Sequence, residues 1–146
     1  MKVLVTGGAG YIGAMLVPRL LAEDCRVTVL DLMIYGEAVL PEHPNLKKIK
    51  GDIRDQALLK KLTPGHDAVI HLAGLSNDPL GEFNPDLTVD INFKSTVKLA
   101  QMAKDAGVKR FIYSSSQSMY GISQSDDELD EYESEKNPLT AYAKTK

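Results

Sequence analysis

Cysteine is almost absent from this sequence of 146 residues, since Cys25 is the only one. The chain therefore cannot form an internal disulfide or a cysteine metal cluster. Because Cys25 stands beside the apolar run VTVL, we expect a buried, inert thiol. The three histidines, at positions 43, 66 and 71, do not form one cluster in sequence, so we expect no metal site. His71 ends an apolar run and is expected to be a core histidine with satisfied hydrogen bonds; the alternative is a place near a ligand.

Long apolar runs and basic clusters are also missing. No run approaches the roughly 20 apolar residues that cross a bilayer, and Met1 and Lys2 lead directly into strand-like sequence instead of a signal peptide. The longest basic clusters are LKKIK and LKKL, and the formal net charge is −3, so we expect no nucleic-acid partner. With 43% hydrophobic and 25% charged residues, the composition is typical of a globular protein. We expect a cytoplasmic protein without membrane contact.

Short apolar runs alternate with helical patterns, beginning with KVLVT, YIGAMLVPRLLAE and RVTVLDL. This alternation is typical of βαβ units with a parallel sheet. Further strands are predicted in NLKKIKGD, DAVIHLAG and KRFIYSSS, and helices in DQALLKKL and over about 86–106. We predict one α/β domain over residues 1–146, a doubly wound Rossmann-type parallel sheet of about five strands in the order 3-2-1-4-5. A ligand would lie across the carboxyl ends of strands 1 and 4.

One segment differs in composition from the rest of the chain. SQSDDELDEYESEK, residues 123–136, is acidic and has no sustained apolar face. We expect a solvated loop there, and an acidic docking site is the alternative.

The stretch VTGGAGYIG places Gly7, Gly10 and Gly13 between a predicted strand and a predicted helix. A tight turn, close approach of a phosphate and close helix packing each favour glycine. The backbone N–H groups at the start of the helix, including those of Tyr11 and Ile12, would point at a pyrophosphate. The turn therefore predicts dinucleotide binding, although tight turns also use glycine for purely structural reasons.

Asp31 strengthens this interpretation, because it ends the second predicted strand 18 residues after Gly13. That offset is close to the roughly 20 residues expected for the carboxylate that binds an adenosine ribose. A 2′-phosphate would meet a like charge there, and the next residues, Leu32 and Met33, include no arginine to neutralise it. NAD is therefore favoured over NADP.

Six features occur in one order: the glycine turn, Asp31, GDIRD, HLAG, SSSQSMYG and YAKTK. Together they resemble the extended short-chain dehydrogenase/reductase family, in its NAD-dependent nucleotide-sugar epimerase/dehydratase branch. The resemblance spans the whole chain and implies NAD as the cofactor and a nucleotide sugar as the substrate.

The resemblance also implies roles for residues after the third and fourth strands. Asp52 would accept a hydrogen bond from the adenine amino group, and Ile53 would offer backbone polar atoms to the ring. The alternative for Asp52 is a turn residue. Leu72, Ala73 and Gly74 would let the cofactor pass close to the backbone.

A helix asparagine in DINFKST, Asn92, resembles the one that supports the site in this family, and a plain surface amide is the alternative.

The catalytic residues implied by the resemblance are Ser116, Tyr142 and Lys146. Tyr142 and Lys146 match the family's Y-x-x-x-K pair, with a spacing that can place two side chains on one helix face. Tyr142 would take the sugar hydroxyl proton while hydride passes to NAD, and a nearby ammonium favours the ionised phenol. Lys146 would also hold the nicotinamide ribose, and Ser116 would orient the reacting oxygen. Reduction from the opposite face would give an epimer.

Two departures from the family bear on the reaction. The 4,6-dehydratase pattern has an acidic pair where this chain has Gln117 and Ser118, so the acid and base that eliminate water are absent. UDP-galactose epimerases carry a lysine after AGL, whereas this chain has Ser76. A sugar epimerase is favoured, and a nucleotide-sugar reductase or a 4,6-dehydratase is the alternative. A non-catalytic NAD-binding module and an interaction protein that binds no cofactor also stay open.

The family normally continues for more than a hundred residues beyond the Y-x-x-x-K helix, into the last sheet strands and a substrate domain. We therefore expect this chain to be the NAD-binding portion of a longer enzyme and to be inactive alone. An uncovered sheet edge at strand 5 would favour a homodimer or other self-association.

Overall fold

The computed structural model describes residues 1–122 and 128–146 and confirms the predicted sheet. Five parallel strands lie in the order β3-β2-β1-β4-β5. In chain order they are β1 (Lys2–Thr6), β2 (Arg26–Asp31), β3 (Leu46–Lys50), β4 (Ala68–His71) and β5 (Arg110–Tyr113). Because all five are parallel, their carboxyl ends meet at one edge, and the order reverses between β1 and β4, where α/β sheets bind ligands.

The core lies on both faces of the sheet, because successive strand residues point to opposite sides. One face packs under helix α1 (Tyr11–Ala22), and the other packs under α2 (Gln56–Leu62) and α5 (Ser95–Asp105). The first face contributes Val3, Val5, Val27 and Val29, which are buried with Val17 and Leu21. The second contributes Leu4, Leu30 and Val69, which are buried with Leu59 and Leu99. Cys25 is buried in the first cluster, as the sequence predicted.

The helix predicted over about 86–106 consists of three consecutive parts. Helix α4 (Pro85–Thr88) leads into a π-helical segment (Val89–Lys94), which continues into α5. The wider π turn changes the backbone hydrogen-bond register. Side-chain hydroxyls bind two of its carbonyl groups: Ser95 donates to the carbonyl of Asp90 at 2.8 Å, and Thr96 to that of Asn92 at 2.7 Å. Periodicity alone does not reveal this change of register.

A short helix that the sequence analysis missed, α3 (Asp78–Phe83), holds the end of the chain. Asn77 caps its first turn by accepting from the N–H of Leu80. The last helix, α6 (Ala141–Lys144), packs on α3. Thr140 donates to the carboxylate of Asp78 at 2.5 Å, and the N–H of Ala141 donates to that of Glu82 at 2.5 Å. An isolated helix of four residues is unstable, so these contacts order α6.

The acidic segment 123–136 is described from residue 128 onward, and its first five residues lie outside the described ranges. Residues 128–136 form neither helix nor strand, and all of them except Ser134 are exposed. Among the described residues, no helix is long and apolar enough to cross a membrane.

Candidate functional site

The glycine turn connects β1 to α1 at the switch point of the sheet. Gly7 has φ of 74°, and a Cβ there would lie 2.5 Å from the backbone nitrogen of Ala73, so the turn and the segment after β4 touch. A Cβ at Gly13 would lie 2.3 Å from the carbonyl oxygen of Gly8. The turn therefore requires glycine at these two positions for backbone contact. A Cβ at Gly10 would lie 3.3 Å from the Gly7 oxygen, its nearest neighbour, so Gly10 borders open space.

The first turn of α1 has the properties of a phosphate site. Gly10 caps the helix without a side-chain hydrogen bond, and the first turn has no acidic residue. The N–H groups of Tyr11, Ile12 and Gly13 thus lack partners within the helix, and the helix dipole favours an anion beside them. The side chains of Tyr11 and Ile12 are 93% and 54% exposed. A dinucleotide fits here, because its pyrophosphate needs donors and a missing side chain.

Asp31 ends β2 beside the same turn. One carboxylate oxygen accepts from the N–H of Ala9 at 3.0 Å, and the other accepts from the N–H of Met33 at 2.7 Å. Each oxygen can accept a further bond, and the side chain is partly exposed. Asp31 therefore holds the glycine turn and can still bind a ribose hydroxyl.

The residues directly after β3 form a turn in which an arginine pairs with the predicted adenine-binding carboxylate. Asp52 is paired with Arg54: the guanidinium donates to its carboxylate, with the shortest contact 2.5 Å, and the N–H of Arg54 adds a bond of 2.8 Å. The side-chain hydrogen bond from Arg54 holds the pKa of Asp52 below its usual value. Ile53 is buried in the core beneath this turn. The adenine roles of Asp52 and Ile53 stay predictions, and Arg54 is a neighbour that the sequence analysis did not consider.

His71, the last residue of β4, is a satisfied core histidine. Its Nδ1 lies 2.5 Å from the Thr6 hydroxyl and its Nε2 lies 2.7 Å from the Thr96 hydroxyl. Thr96 donates its only hydroxyl proton to the carbonyl of Asn92, so Nε2 of His71 must donate and Nδ1 must accept from Thr6. Burial, and then the charge of Lys146, lowers the pKa of His71 to about 4, so the ring is neutral at pH 7.

Asn92 is 2% exposed and holds the segment after β4, so it is not a surface amide. Its Oδ1 accepts from the N–H of Leu75 at 2.8 Å, and its Nδ2 donates to the Leu75 carbonyl at 2.9 Å. A Cβ at Gly74 would lie 2.9 Å from that Oδ1. The π-helical segment therefore fixes the backbone of Leu75 and lies against Gly74, at the end of the stretch 72–74 where the cofactor was expected to pass. The partly exposed Leu72 donates its N–H to the Thr6 carbonyl.

The structure brings Tyr142 and Lys146 together. Tyr142 lies in α6, whereas Lys146 lies beyond the helix, which ends at Lys144 with Thr145 as its cap. The Nζ of Lys146 is nevertheless 5.6 Å from the centroid of the Tyr142 ring. It donates to the carbonyl of Ser114 at 2.8 Å, directly after β5. Burial lowers the pKa of Lys146.

Ser116 follows β5 on the same segment as Ser114. Its hydroxyl oxygen accepts from the N–H of Ser118 at 3.2 Å and lies 2.9 Å from the Ser118 hydroxyl. It thereby caps a short 3-10 turn (Gln117–Tyr120). Ser116 is partly exposed, and it stands two residues beyond the carbonyl that Lys146 binds.

Helix α3 and Tyr113 are the parts of this site that sequence reasoning missed. The dipeptide Asp78-Pro79 after Asn77 is a start signal for a helix and could have revealed α3. A Cβ at Gly81 of α3 would lie 3.0 Å from the Cβ of Tyr142, so α3 packs closely under that residue. Tyr113 contacts residues far along the chain, and the sequence carries no signal for this.

Comparison with known proteins shows which proteins this chain resembles in sequence and in fold. The UDP-glucose 4-epimerase of Lactobacillus helveticus is 37% identical over 148 residues, covering 100% of this chain and 44% of that protein. Among solved structures, the UDP-N-acetylglucosamine 4-epimerase from Methanobrevibacter ruminantium, in complex with UDP-N-acetylmuramic acid, has a TM-score of 0.88 at 33% identity. It is matched over 99% of this chain and 46% of its own.

A second solved structure is DesIV, a dTDP-glucose 4,6-dehydratase from Streptomyces venezuelae with NAD and TYD bound. It has a TM-score of 0.89 at 35% identity and is matched over 99% of this chain and 48% of its own. The chain thus spans about half the length of these three proteins. The sequence model of the NAD dependent epimerase/dehydratase family matches residues 3–146, and the chain therefore belongs to that family.

Proposed function

We propose that this chain is the NAD-binding part of a nucleotide-sugar epimerase. One observation carries the catalytic half of the proposal: Lys146 lies beside the Tyr142 ring and is bonded to Ser114, two residues before Ser116. The three residues whose catalytic role the family resemblance implies therefore lie near the carboxyl ends of β4 and β5. They are Ser116, Tyr142 and Lys146. The glycine turn occupies the neighbouring end of β1, so cofactor and catalytic groups would share one edge.

The cofactor is proposed to lie along this edge. The free N–H groups of Tyr11, Ile12 and Gly13 bind its pyrophosphate, because they are unpaired donors at a positive helix end. The carboxylate of Asp31 binds the adenosine ribose and disfavours a 2′-phosphate. Ala73 and Gly74 let the dinucleotide pass close to the backbone. The DesIV structure, which carries NAD, supports this choice by its similarity.

When bound, NAD supplies a hydride acceptor that can return the hydride to the same sugar carbon. The protein side chains move the proton: Tyr142 takes it from the sugar hydroxyl, and Ser116 donates a hydrogen bond to the reacting oxygen. The ammonium of Lys146 lies beside the phenol ring and holds the nicotinamide ribose. Reduction of the oxidised sugar from its opposite face would give the epimer, and Tyr142 would return the proton to the sugar oxygen.

Epimerisation is favoured over dehydration by the residues beside Ser116. Gln117 and Ser118 offer no carboxyl group to remove and donate protons for the loss of water. Two of the three matched proteins are 4-epimerases, and one is a 4,6-dehydratase. A nucleotide-sugar reductase remains the second candidate, because it would use the same tyrosine, lysine and serine.

Calorimetric titration of the chain with NAD, NADP and ADP tests the cofactor site. NAD is expected to bind more tightly than NADP, and absence of binding by all three would remove the dinucleotide proposal. That result would favour an interaction protein.

The reaction is tested with the protein purified from its native source and a panel of nucleotide sugars, analysed by mass spectrometry and chromatography. Products of unchanged mass but altered retention support an epimerase; loss of water supports a dehydratase; no product with NAD bound supports a binding module.

A further inference from the structure

Tyr113, the last residue of β5, contacts both the side chain of Lys146 and the backbone before it. We propose that Tyr113 is a positioning residue for Lys146: its ring seats the ammonium group, and its hydroxyl fixes the main chain that carries it. This inference rests on the proposed function, in which Lys146 holds the nicotinamide end of the cofactor.

Tyr113 contacts the end of the chain in two ways. The Nζ of Lys146 lies 4.9 Å from the centroid of the Tyr113 ring, within the range of a cation–π interaction. The Tyr113 hydroxyl donates to the carbonyl of Thr145 at 3.1 Å. With the bond from Lys146 to the Ser114 carbonyl, the end of β5 holds both the charged group and the backbone before it. These contacts replace the helical backbone that ends at Lys144.

The Tyr113 ring is stacked on a second ring, that of His71, which is held in place. Its centroid is 5.7 Å from that of His71, with an angle of 20° between the planes. The Thr6 hydroxyl donates to Nδ1 of His71, and Nε2 donates to the Thr96 hydroxyl, so hydrogen bonds at both ring nitrogens prevent that ring from turning. Because the pKa of His71 is lowered, its ring is neutral at pH 7 and carries no positive charge that would repel Lys146. Lys146, Tyr113 and His71 thus form a column that joins the site to the core.

No carboxylate in the described ranges forms a salt bridge with Lys146. A ring face and a carbonyl oxygen hold the ammonium instead, so its charge is not neutralised by a fixed anion. Partial burial removes water from the group, which strengthens a cation–π interaction. The arrangement orients Lys146 for a ribose hydroxyl and for Tyr142.

Tyr113→Leu removes both the ring and the hydroxyl, whereas Tyr113→Phe keeps the ring face. Tyr132→Leu is the matched control, because Tyr132 is 89% exposed. Each variant is titrated with NAD and with ADP, which has no nicotinamide ribose. Tyr113→Leu is expected to weaken NAD binding by about tenfold and to leave ADP binding unchanged. Tyr113→Phe should retain most of the NAD affinity, and the control should retain all of it. A general loss of structure would lower the affinity for NAD and the affinity for ADP equally.

A second measurement locates Lys146 without any ligand. The ε-methylene protons of Lys146, assigned with Lys146→Arg, should be shifted upfield by the Tyr113 ring in NMR spectra. The shift should persist in Tyr113→Phe and be reduced in Tyr113→Leu. An unchanged shift in Tyr113→Leu, or an unchanged ratio of NAD to ADP affinity, would overturn the proposal. If the native chain binds no NAD, the proposed function fails, and the NMR comparison alone decides whether Tyr113 positions Lys146.

Discussion

The carboxylate of Asp31, at the end of β2, accepts a hydrogen bond of 3.0 Å from the backbone N–H of Ala9 in the glycine turn. Ala9 is buried, so its N–H has no access to water as a substitute partner. The residue proposed to bind the adenosine ribose therefore also shapes the turn proposed to bind the pyrophosphate. A substitution at Asp31 should affect both stability and ligand choice.

We expect Asp31→Ala to lower the free energy of unfolding by roughly 1–3 kcal/mol without ligand, because the N–H of Ala9 loses its acceptor. NAD binding should weaken by a further amount of roughly 1–3 kcal/mol if a buried ribose bond is lost. NADP should be affected less, because a like charge is removed. Denaturant unfolding and calorimetry measure the two effects separately. Equal NAD affinities of the two proteins would remove Asp31 from the ribose site.

Gly10 and Gly13 should respond to alanine in different ways. Gly13→Ala places a methyl group against the backbone of Gly8, 2.3 Å from its oxygen, so we expect a loss of stability of about 1–3 kcal/mol or more. Gly10→Ala meets its nearest neighbour at 3.3 Å and should fold nearly normally. It should nevertheless bind NAD poorly, because the methyl group lies where a phosphate would approach. Thermal unfolding with and without NAD distinguishes the two outcomes, and normal NAD affinity of a folded Gly10→Ala would contradict the site.

His71 should make the stability of the fold depend on pH in mildly acidic solution. The pKa of His71 falls from 6.5 in the unfolded chain to about 4 in the folded one. Between these values the unfolded chain binds the proton and the folded chain does not. Stability is therefore retained above about pH 6.5 and falls as the pH decreases towards 4, by up to about 3 kcal/mol.

Urea unfolding at a series of pH values measures this dependence, with His71→Gln as the comparison. The variant should be less stable at pH 7, because Thr6 and Thr96 lose their partner, but its stability should change less between pH 6.5 and 4. Carboxyl groups with lowered pKa values, such as Asp52, contribute mainly below about pH 4. Parallel curves for the two proteins in the upper window would show that His71 is not the group responsible.

Asn92→Leu should destabilise the protein more than an exposed amide substitution does. The change keeps the side-chain size but leaves the N–H and carbonyl of Leu75 without partners, at roughly 1–3 kcal/mol for each. Asn77→Ala, which removes only the cap of α3, should cost about 1 kcal/mol. Unfolding in denaturant gives both values. A smaller loss for Asn92→Leu than for Asn77→Ala would show that the clamp on Leu75 contributes little.

The chain of 146 residues is expected to show no turnover by itself and to self-associate. It spans about half the length of the three proteins compared with it above, and we expect the groups that bind the sugar to lie outside it. Within the residues that the structure describes, strand β5 is an edge of the sheet and pairs only with β4, so it can pair with another chain. Incubation with NAD and nucleotide sugars should give no NADH absorbance and no epimer. Sustained turnover, or a monomer at all concentrations in analytical ultracentrifugation, would contradict the respective half of this prediction.

The sequence by itself determined the sheet and the positions of the glycine turn and Asp31 in it. Apolar runs alternating with helical patterns indicate a parallel α/β fold, because inner strands such as β1 and β4 are covered on both faces. The glycine turn and Asp31 were recognised by short spacings along the chain, which depend on local backbone geometry. Both therefore lie in the fold where the sequence predicted them, between β1 and α1 and at the end of β2. The burial of Cys25 and His71 was predicted from the apolar runs beside them.

Tertiary structure alone decided how the end of the chain is held. Helix α6 is too short to form unaided, and its order depends on Asp78 and Glu82, which are distant in sequence. The column from His71 through Tyr113 to Lys146 joins three separate segments, and no local pattern encodes such a contact. The π-helical register around Asn92 likewise depends on hydroxyl groups of the following turn and on the loop it binds. Local spacing fixes elements and turns, whereas packing between distant elements fixes the orientation of the side chains proposed to act.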